Sequence, residues 1–201
     1  MQIFAINNYP FRIAEGLCNI HLSKQITELV QCMNQAMAEL DITGKVFMKH
    51  QGSRKPIDWI KENKNNFAWC ISLLHELLLE YDYRTNNHNI YDKHLTAREF
   101  LTFCNTLGLE YDFDFNGMDF WNLQSFNENK YPENAQFYHM TDDVAYNYMQ
   151  YYTEKVCMQM KTSVIYTKRN PPYFLRYGVG WYGYEFSYNA KKYSWKLIKE
   201  V

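Results

Sequence analysis

No stretch of this chain approaches the roughly 18 apolar residues that a helix needs to cross a bilayer. The opening run Met1-Gln2-Ile3-Phe4-Ala5-Ile6-Asn7-Asn8-Tyr9-Pro10 has neither the basic start nor the long apolar centre of a secretion signal. Together these absences point to a soluble cytoplasmic protein with no membrane partner. Cysteine pairs are missing as well: Cys18, Cys32, Cys70, Cys104 and Cys157 are scattered, odd in number and never spaced Cys-x-x-Cys. They read as reduced, mostly buried thiols, not as a disulfide framework. The six histidines lack close ligand spacing, so no metal and no cofactor is expected. There is no Gly-rich phosphate loop, no Gly-x-Ser-x-Gly elbow and no His-Glu-x-x-His run, which disfavours nucleotide hydrolases, serine esterases and zincins.

What is present is a chain of 201 residues, 47% hydrophobic, enough to bury one core. Its net charge of −1 argues against strong general affinity for nucleic acid, but the charges are unevenly placed. Between Glu110 and Asp143, eight acidic residues (Glu110, Asp112, Asp114, Asp119, Glu128, Glu133, Asp142, Asp143) stand against Lys130 alone, giving −7. From Lys161 onward, eight basic residues (Lys161, Lys168, Arg169, Arg176, Lys191, Lys192, Lys196, Lys199) stand against Glu185 and Glu200, giving +6.

Helical spacing dominates the body. After a short apolar arm at residues 2–6, Leu22, Ile26, Leu29, Val30, Met33 and Met37 recur at three- and four-residue steps and predict a helix of about 20 residues. Pro56 fits the first position of a helix carrying Ile57, Trp59 and Ile60. The polar stretch 61–66 breaks it before Phe67, Cys70, Ile71, Leu74, Leu77, Leu78 and Tyr81 resume the period as a central core helix. Thr96 reads as the cap of a helix stopped at Gly108, and Thr141-Asp142-Asp143 as the cap of one carrying Val144, Tyr148, Tyr151, Tyr152, Val156 and Met160. From Tyr173, aromatics interleave with Gly178, Gly180, Gly183 and lysines, which suits a hairpin or an extended lobe. The expected fold is mainly α: a single-domain helical bundle with an N-terminal extended arm and an aromatic C-terminal lobe. Its body is residues 1–174, and residues 175–201 are a basic aromatic extension of the same domain.

Three constellations could carry chemistry. His21, Lys24 and Glu28 fall on one face of the first long helix, since seven residues bring a helix almost back to its starting angle. An acid, a base and a cation on one wall suit proton transfer or charge stabilisation; the same residues also read as an ordinary solvated face with a Lys24–Glu28 pair. On the core helix, Glu76, Glu80 and Arg84 follow at four-residue steps, with Trp69, Tyr81, Tyr83 and His88 nearby. A carboxylate among aromatic faces can hold a base or stabilise an oxocarbenium-like cation, while Glu80–Arg84 equally fits a surface ion pair. In the tail, Lys168-Arg169-Asn170-Pro171-Pro172-Tyr173 and Arg176-Tyr177 mix cations with aromatics, which suits nucleic acid or, alternatively, a packing surface or subunit interface.

At these residues the chain resembles a group of small bacteriophage proteins. These open on Asn-Ile-Phe-like residues, carry a Lys-His-Val-Val-Lys-x-x-x-Glu helix, and continue with a Trp-x-x-x-x-x-x-Asn-Tyr-x-Trp helix ending in Glu-Tyr-x-x-Arg and a following His. Here the features stand as Gln2-Ile3-Phe4, His21-Leu22-Ser23-Lys24 with Glu28, Trp59 with Asn66-Phe67-Ala68-Trp69, Glu80-Tyr81-Asp82-Tyr83-Arg84, and His88. The segments Ala145-Tyr146-Asn147-Tyr148-Met149-Gln150-Tyr151-Tyr152 and Tyr166-Thr167-Lys168-Arg169-Asn170-Pro171-Pro172-Tyr173 are similar to the group's closing segment. The group in turn is distantly similar to pyrimidine-dimer DNA glycosylases of the endonuclease V type, in which an N-terminal amine attacks the sugar and a glutamate seven residues after a histidine assists.

That resemblance implies a helical, phage-encoded protein of the host cytoplasm, acting on DNA or a nucleotide by cleaving a base–sugar bond. It implies Glu28 as acid/base or cation stabiliser, His21 and Lys24 as groups that orient phosphate or tune Glu28, and Met1 as the amine, since bulky Gln2 favours its retention. Trp69, Glu80, Tyr81, Arg84 and His88 are then expected to line the substrate site, and Lys168 and Arg169 to hold backbone. Where the glycosylases set arginines around their glutamate, this stripe offers Lys24 and Gln25. Two other classes fit the same residues: a non-catalytic phage protein binding a host protein or nucleic acid through the aromatic tail, and a transferase acting on modified bases.

Overall fold

A computed structural model describes residues 3–49, 52, 54–86, 93–109, 118, 143–156, 164–177, 184–189 and 192–197. The protein is mainly helical: α1 (Pro10–Gly16), α2 (Asn19–Glu39), α3 (Lys55–Glu62), α4 (Lys64–Thr85), α5 (Leu95–Thr106), α6 (Val144–Glu154) and the short α7 (Tyr173–Tyr177). Two strands follow, β1 (Tyr184–Asn189) and β2 (Lys192–Leu197), paired antiparallel from Tyr184↔Leu197 to Asn189↔Lys192. The side chains of the strands, most of the acidic segment 110–142, and the expected continuation of α6 to Met160 lie outside the described residues.

α4 occupies the centre, packed against α1, α2, α3 and α5. Apolar residues at helical spacing on α2 and α4 are withdrawn from water together, Leu22, Ile26, Leu29 and Met33 facing a core that includes Leu73, Leu74 and Leu77. That burial supplies the main driving force for association of the helices. Trp59 of α3 and Trp69 of α4 meet edge to face with ring centres 5.7 Å apart, an arrangement set by the ring quadrupoles.

Local chemistry sets several helix ends. Asn63 breaks the chain between α3 and α4, accepts from Asn66 N at 2.9 Å, and so caps α4. The Asn66 side chain returns a hydrogen bond to Trp59 O, bracing the corner. Gly108 closes α5 at φ +67°, with Leu109 N bonded back to Cys104 O, a left-handed stop that a side chain would strain. Asp143 caps α6 by accepting from Tyr146 N, as the Thr-Asp-Asp run predicts.

Two local expectations are corrected. Thr96 does not cap α5: the helix begins at Leu95 behind His94, whose ring is tied to Ser23 of α2 at 3.0 Å. No side-chain cap bond stands at that start. The N-terminal arm is buried but not extended. Residues 3–6 fold through two tight turns, Ala5 N to Ile3 O and Ile6 N to Phe4 O, while Phe4 N donates to the buried Gln25 side chain at 2.9 Å. Ile6 then packs so close to Gly16 that a Cβ there would lie 2.7 Å from its terminal methyl.

Candidate functional site

The polar stripe of α2 runs from the core to the surface beside the end of α6 and the N-terminal arm. His21 is buried, with Nδ1 3.0 Å from the Tyr152 hydroxyl and 3.5 Å from Cys18 Sγ. The Tyr152 oxygen also accepts from Cys18 N at 2.9 Å, so one hydroxyl ties the start of α2 to the His21 ring. Burial first, then the charges of Lys155 and Lys24, push the His21 pKa down to about 4. His21 is therefore a neutral, hydrogen-bonded core residue near pH 7.

Lys24, one turn on, is exposed, and Glu28 is half-buried. Opposite them stands Lys155, where the last turn of α6 widens to π geometry, a distortion that often marks sites of function. Its ammonium lies over the rings of Phe4 (5.3 Å) and Tyr151 (5.7 Å), which stack on each other at 6.1 Å. Burial draws the Lys155 pKa below the ordinary lysine range, Glu28 opposes that shift, and Lys24 reinforces it. Glu28 also adds to the upward push that burial gives the Cys32 thiol, to about 12. One carboxylate, two ammonium groups and a neutral imidazole are thus gathered on one side of α2.

Glu80 and Arg84 form no part of that gathering. Both are buried, and the Arg84 guanidinium commits all five of its N–H groups within the protein. Nε donates to Glu80 Oε1 (2.7 Å), one terminal nitrogen to Leu17 O and Asn19 Oδ1, and the other to Ala14 O and Glu15 O. These are the carbonyls at the end of α1 and just beyond it, so Arg84 serves as their cap. No donor is left for substrate, and the binding role expected of Arg84 is replaced by a structural one.

Arg169 completes the clamp. It donates to both Glu80 oxygens, at 3.0 and 2.8 Å, and pairs with Glu15 at 3.3 Å. Burial alone would raise the Glu80 pKa, but the hydrogen bonds from Arg169 and Arg84 outweigh it and hold the carboxyl below its usual range. Lys168, at φ +58°, donates to Tyr83 O and to the Asn86 side chain at the end of α4. Both cations lie over the Tyr83 ring. Lys168 and Arg169 thus fasten their segment to α4, while Asn19–Thr167 and Tyr166 bonding Gly16 O tie it to α2 and α1.

Trp69 is also reassigned: it is fully buried and its indole N–H donates to Asn8 O at 2.9 Å, which makes it core and not a platform for a base. Tyr81 is half-buried and meets His94 edge to face at 4.6 Å. Met1 and His88 lie outside the described residues.

Sequence reasoning missed Lys155 and the buried Ser23–His94 pair. Each had a signal: Lys155 stands seven residues after Tyr148 and four after Tyr151, a cation on the apolar row of α6, and Ser23 shares a helical row with Val30 and Met37. Among the described residues no group of three or more His, Cys, Asp or Glu could hold a metal ion, and no helix is long and apolar enough to cross a membrane. No family model, no curated protein and no solved structure matches the chain.

Proposed function

We propose that this protein acts on DNA or a nucleotide, cleaving the bond between base and sugar, with Glu28 as the acid/base or the stabiliser of the developing sugar cation. The observation that carries the reading is the setting of Glu28: half-buried on a rigid helix, its charge felt by the Lys155 ammonium beside two aromatic rings. In such a partly desolvated place a carboxylate interacts more strongly with a nearby cationic centre than it does in water, as an oxocarbenium-like transition state requires. Lys24 and Lys155 supply positive charge for a phosphate. The resemblance to the phage group and to the glycosylases supports the same assignment of Glu28.

The test is incubation with damaged, modified and plain DNA, scored by released base. Glu28→Gln is expected to lower release by about 10²- to 10⁴-fold, the usual range for a general acid/base, with the helical signal unchanged. Full turnover by that variant would sink the proposal. Transfer of a group to a modified base would need the same carboxylate and is told apart by the product, a modified base retained on its sugar.

One observation favours a second reading, binding without catalysis. The strand register sets Tyr184, Phe186 and Tyr188 opposite Leu197, Trp195 and Tyr193, and period-two alternation places all six positions on one face of the ribbon. Deleting residues 175–201 should then abolish capture of a host protein or nucleic acid. A chain that still binds after the deletion excludes this reading.

A further inference from the structure

We infer that Cys18, His21 and Tyr152 form a binding site for one divalent ion of the zinc type, held by the Sγ, Nδ1 and phenol oxygen atoms. The site goes beyond base–sugar cleavage and does not rest on it. Cys18 stands immediately before α2 and His21 in its first turn, so the Cys-x-x-His spacing brings their side chains together, and Tyr152 arrives from α6. Sγ and Nδ1 lie 3.5 Å apart, Nδ1 and the phenol oxygen 3.0 Å. Zinc bonds sulfur at about 2.3 Å and nitrogen or oxygen at about 2.0–2.1 Å, so tetrahedral angles set the first pair about 3.5 Å apart and the second about 3.3 Å. The triangle in this protein is close to one face of that tetrahedron. Its third donor is a tyrosine, which makes it a different kind of set from the His, Cys, Asp and Glu groups that do not occur among the described residues.

Nδ1 carries either one lone pair or one proton, so it bonds fully to only one of the thiol and the phenol that face it. A cation at the centre of the triangle bonds to all three. Binding displaces the thiol proton and the phenol proton, both released to water. Thiolate and phenolate then carry two negative charges against the two positive charges of the ion, and the imidazole is neutral. The loaded site has no net charge, as a buried place requires. Burial keeps the Cys18 thiol protonated until an ion arrives and His21 in the neutral form that ligates; coordination removes a thiol proton outright. The Phe4 ring lies 5.4 Å from the His21 ring and meets Tyr152 edge to face at 5.1 Å, which fixes both. Cys18 N donates to the phenol oxygen at 2.9 Å, an outer bond of the kind that orients a ligand. The fourth position goes to a water carried in with the ion, as in zinc sites with three protein ligands.

The experiment strips the full chain with a chelator and adds Zn²⁺ or Co²⁺, both to the folded protein and during refolding from urea, because the three atoms are buried. The expected result is one ion per chain, with a thiolate-to-cobalt charge-transfer band and the strong visible bands of tetrahedral Co²⁺. Cys18→Ser should lose the charge-transfer band, and His21→Gln and Tyr152→Phe should each weaken binding by about 10-fold or more, with the helical signal unchanged. X-ray absorption on the Zn²⁺-loaded wild-type chain, which asks no variant to fold, should show one sulfur neighbour and otherwise nitrogen or oxygen. No bound ion, an ion with no sulfur or with more than one sulfur neighbour, or full-strength binding in Tyr152→Phe overturns the inference. Base release plays no part in these measurements, so they stand or fall separately from the Glu28 reading.

Discussion

Two polar clusters stand on the long helices, and they differ in what acts on their charges: side-chain hydrogen bonds in one, burial and neighbouring charge in the other. At the Glu80 clamp, two guanidinium groups meet one carboxylate and every N–H of Arg84 ends on an acceptor. At the Glu28 cluster, Glu28 and Lys24 act on Lys155 through their charges in opposite directions, and a histidine is driven neutral. Saturation is what a fastener needs: a buried charge held by good hydrogen bonds is costly to break and has nothing to offer a ligand. In the other cluster the shifts come from burial and neighbouring charge and not from hydrogen bonds, a pattern that groups at functional sites often share. On paper the two constellations looked alike, each a row of charged residues at helical spacing.

The sharpest way to break the comparison is to damage the clamp. Arg84→Met leaves Glu80 buried with one partner fewer and takes the Arg84 donors from the carbonyls at the end of α1; a loss of about 3–5 kcal/mol in urea unfolding is expected. A variant of unchanged stability that loses only ligand binding would reverse the roles assigned to the two clusters.

Next comes pH. His21 has a folded pKa pushed down to about 4 against 6.5 in the free side chain. The unfolded chain therefore binds more protons between those values, so the contribution is full above about pH 6.5 and is lost as pH falls toward 4. It amounts to on the order of 2–3 kcal/mol. His21→Gln should flatten that slope of stability against pH. Glu80, also depressed, acts lower: its contribution is present above the ordinary carboxylate range and disappears as acid protonates it in the fold, which acid unfolding of Glu80→Gln would show as a missing step.

Smaller effects follow. Tyr152→Phe removes the hydroxyl shared by Cys18 N and His21 Nδ1 and should cost about 1–3 kcal/mol, read by thermal or chemical unfolding. Because it lies under the Glu28 cluster, it should alter activity less than Glu28→Gln does. The smallest is Gly108→Ala, where the left-handed backbone at φ +67° has open space for the methyl and only conformational strain to resist it, about 1 kcal/mol.

The helices themselves were legible because their causes are local. Spacing of apolar residues placed α2 and α4, Asn63 lies in the polar stretch that separates α3 from α4, Asp143 belongs to the predicted cap of α6, and Gly108 stops α5. His94 escaped notice because its partner Ser23 stands 71 residues away. The candidate site was legible by half. His21, Lys24 and Glu28 do share a side of one helix, yet nothing in their spacing tells that the first is sealed in the core while the charge of the third acts on Lys155 at the end of α6.

Amino-acid order alone therefore determined which segments coil and which of their faces are apolar, since backbone hydrogen bonding and side-chain period act over a few residues. Only tertiary packing decided which charges became fasteners and which were left near aromatic surface. The pKa of a group and the number of its hydrogen bonds depend on what arrives from distant parts of the chain, as Arg169 arrives at Glu80 and Lys155 at Glu28.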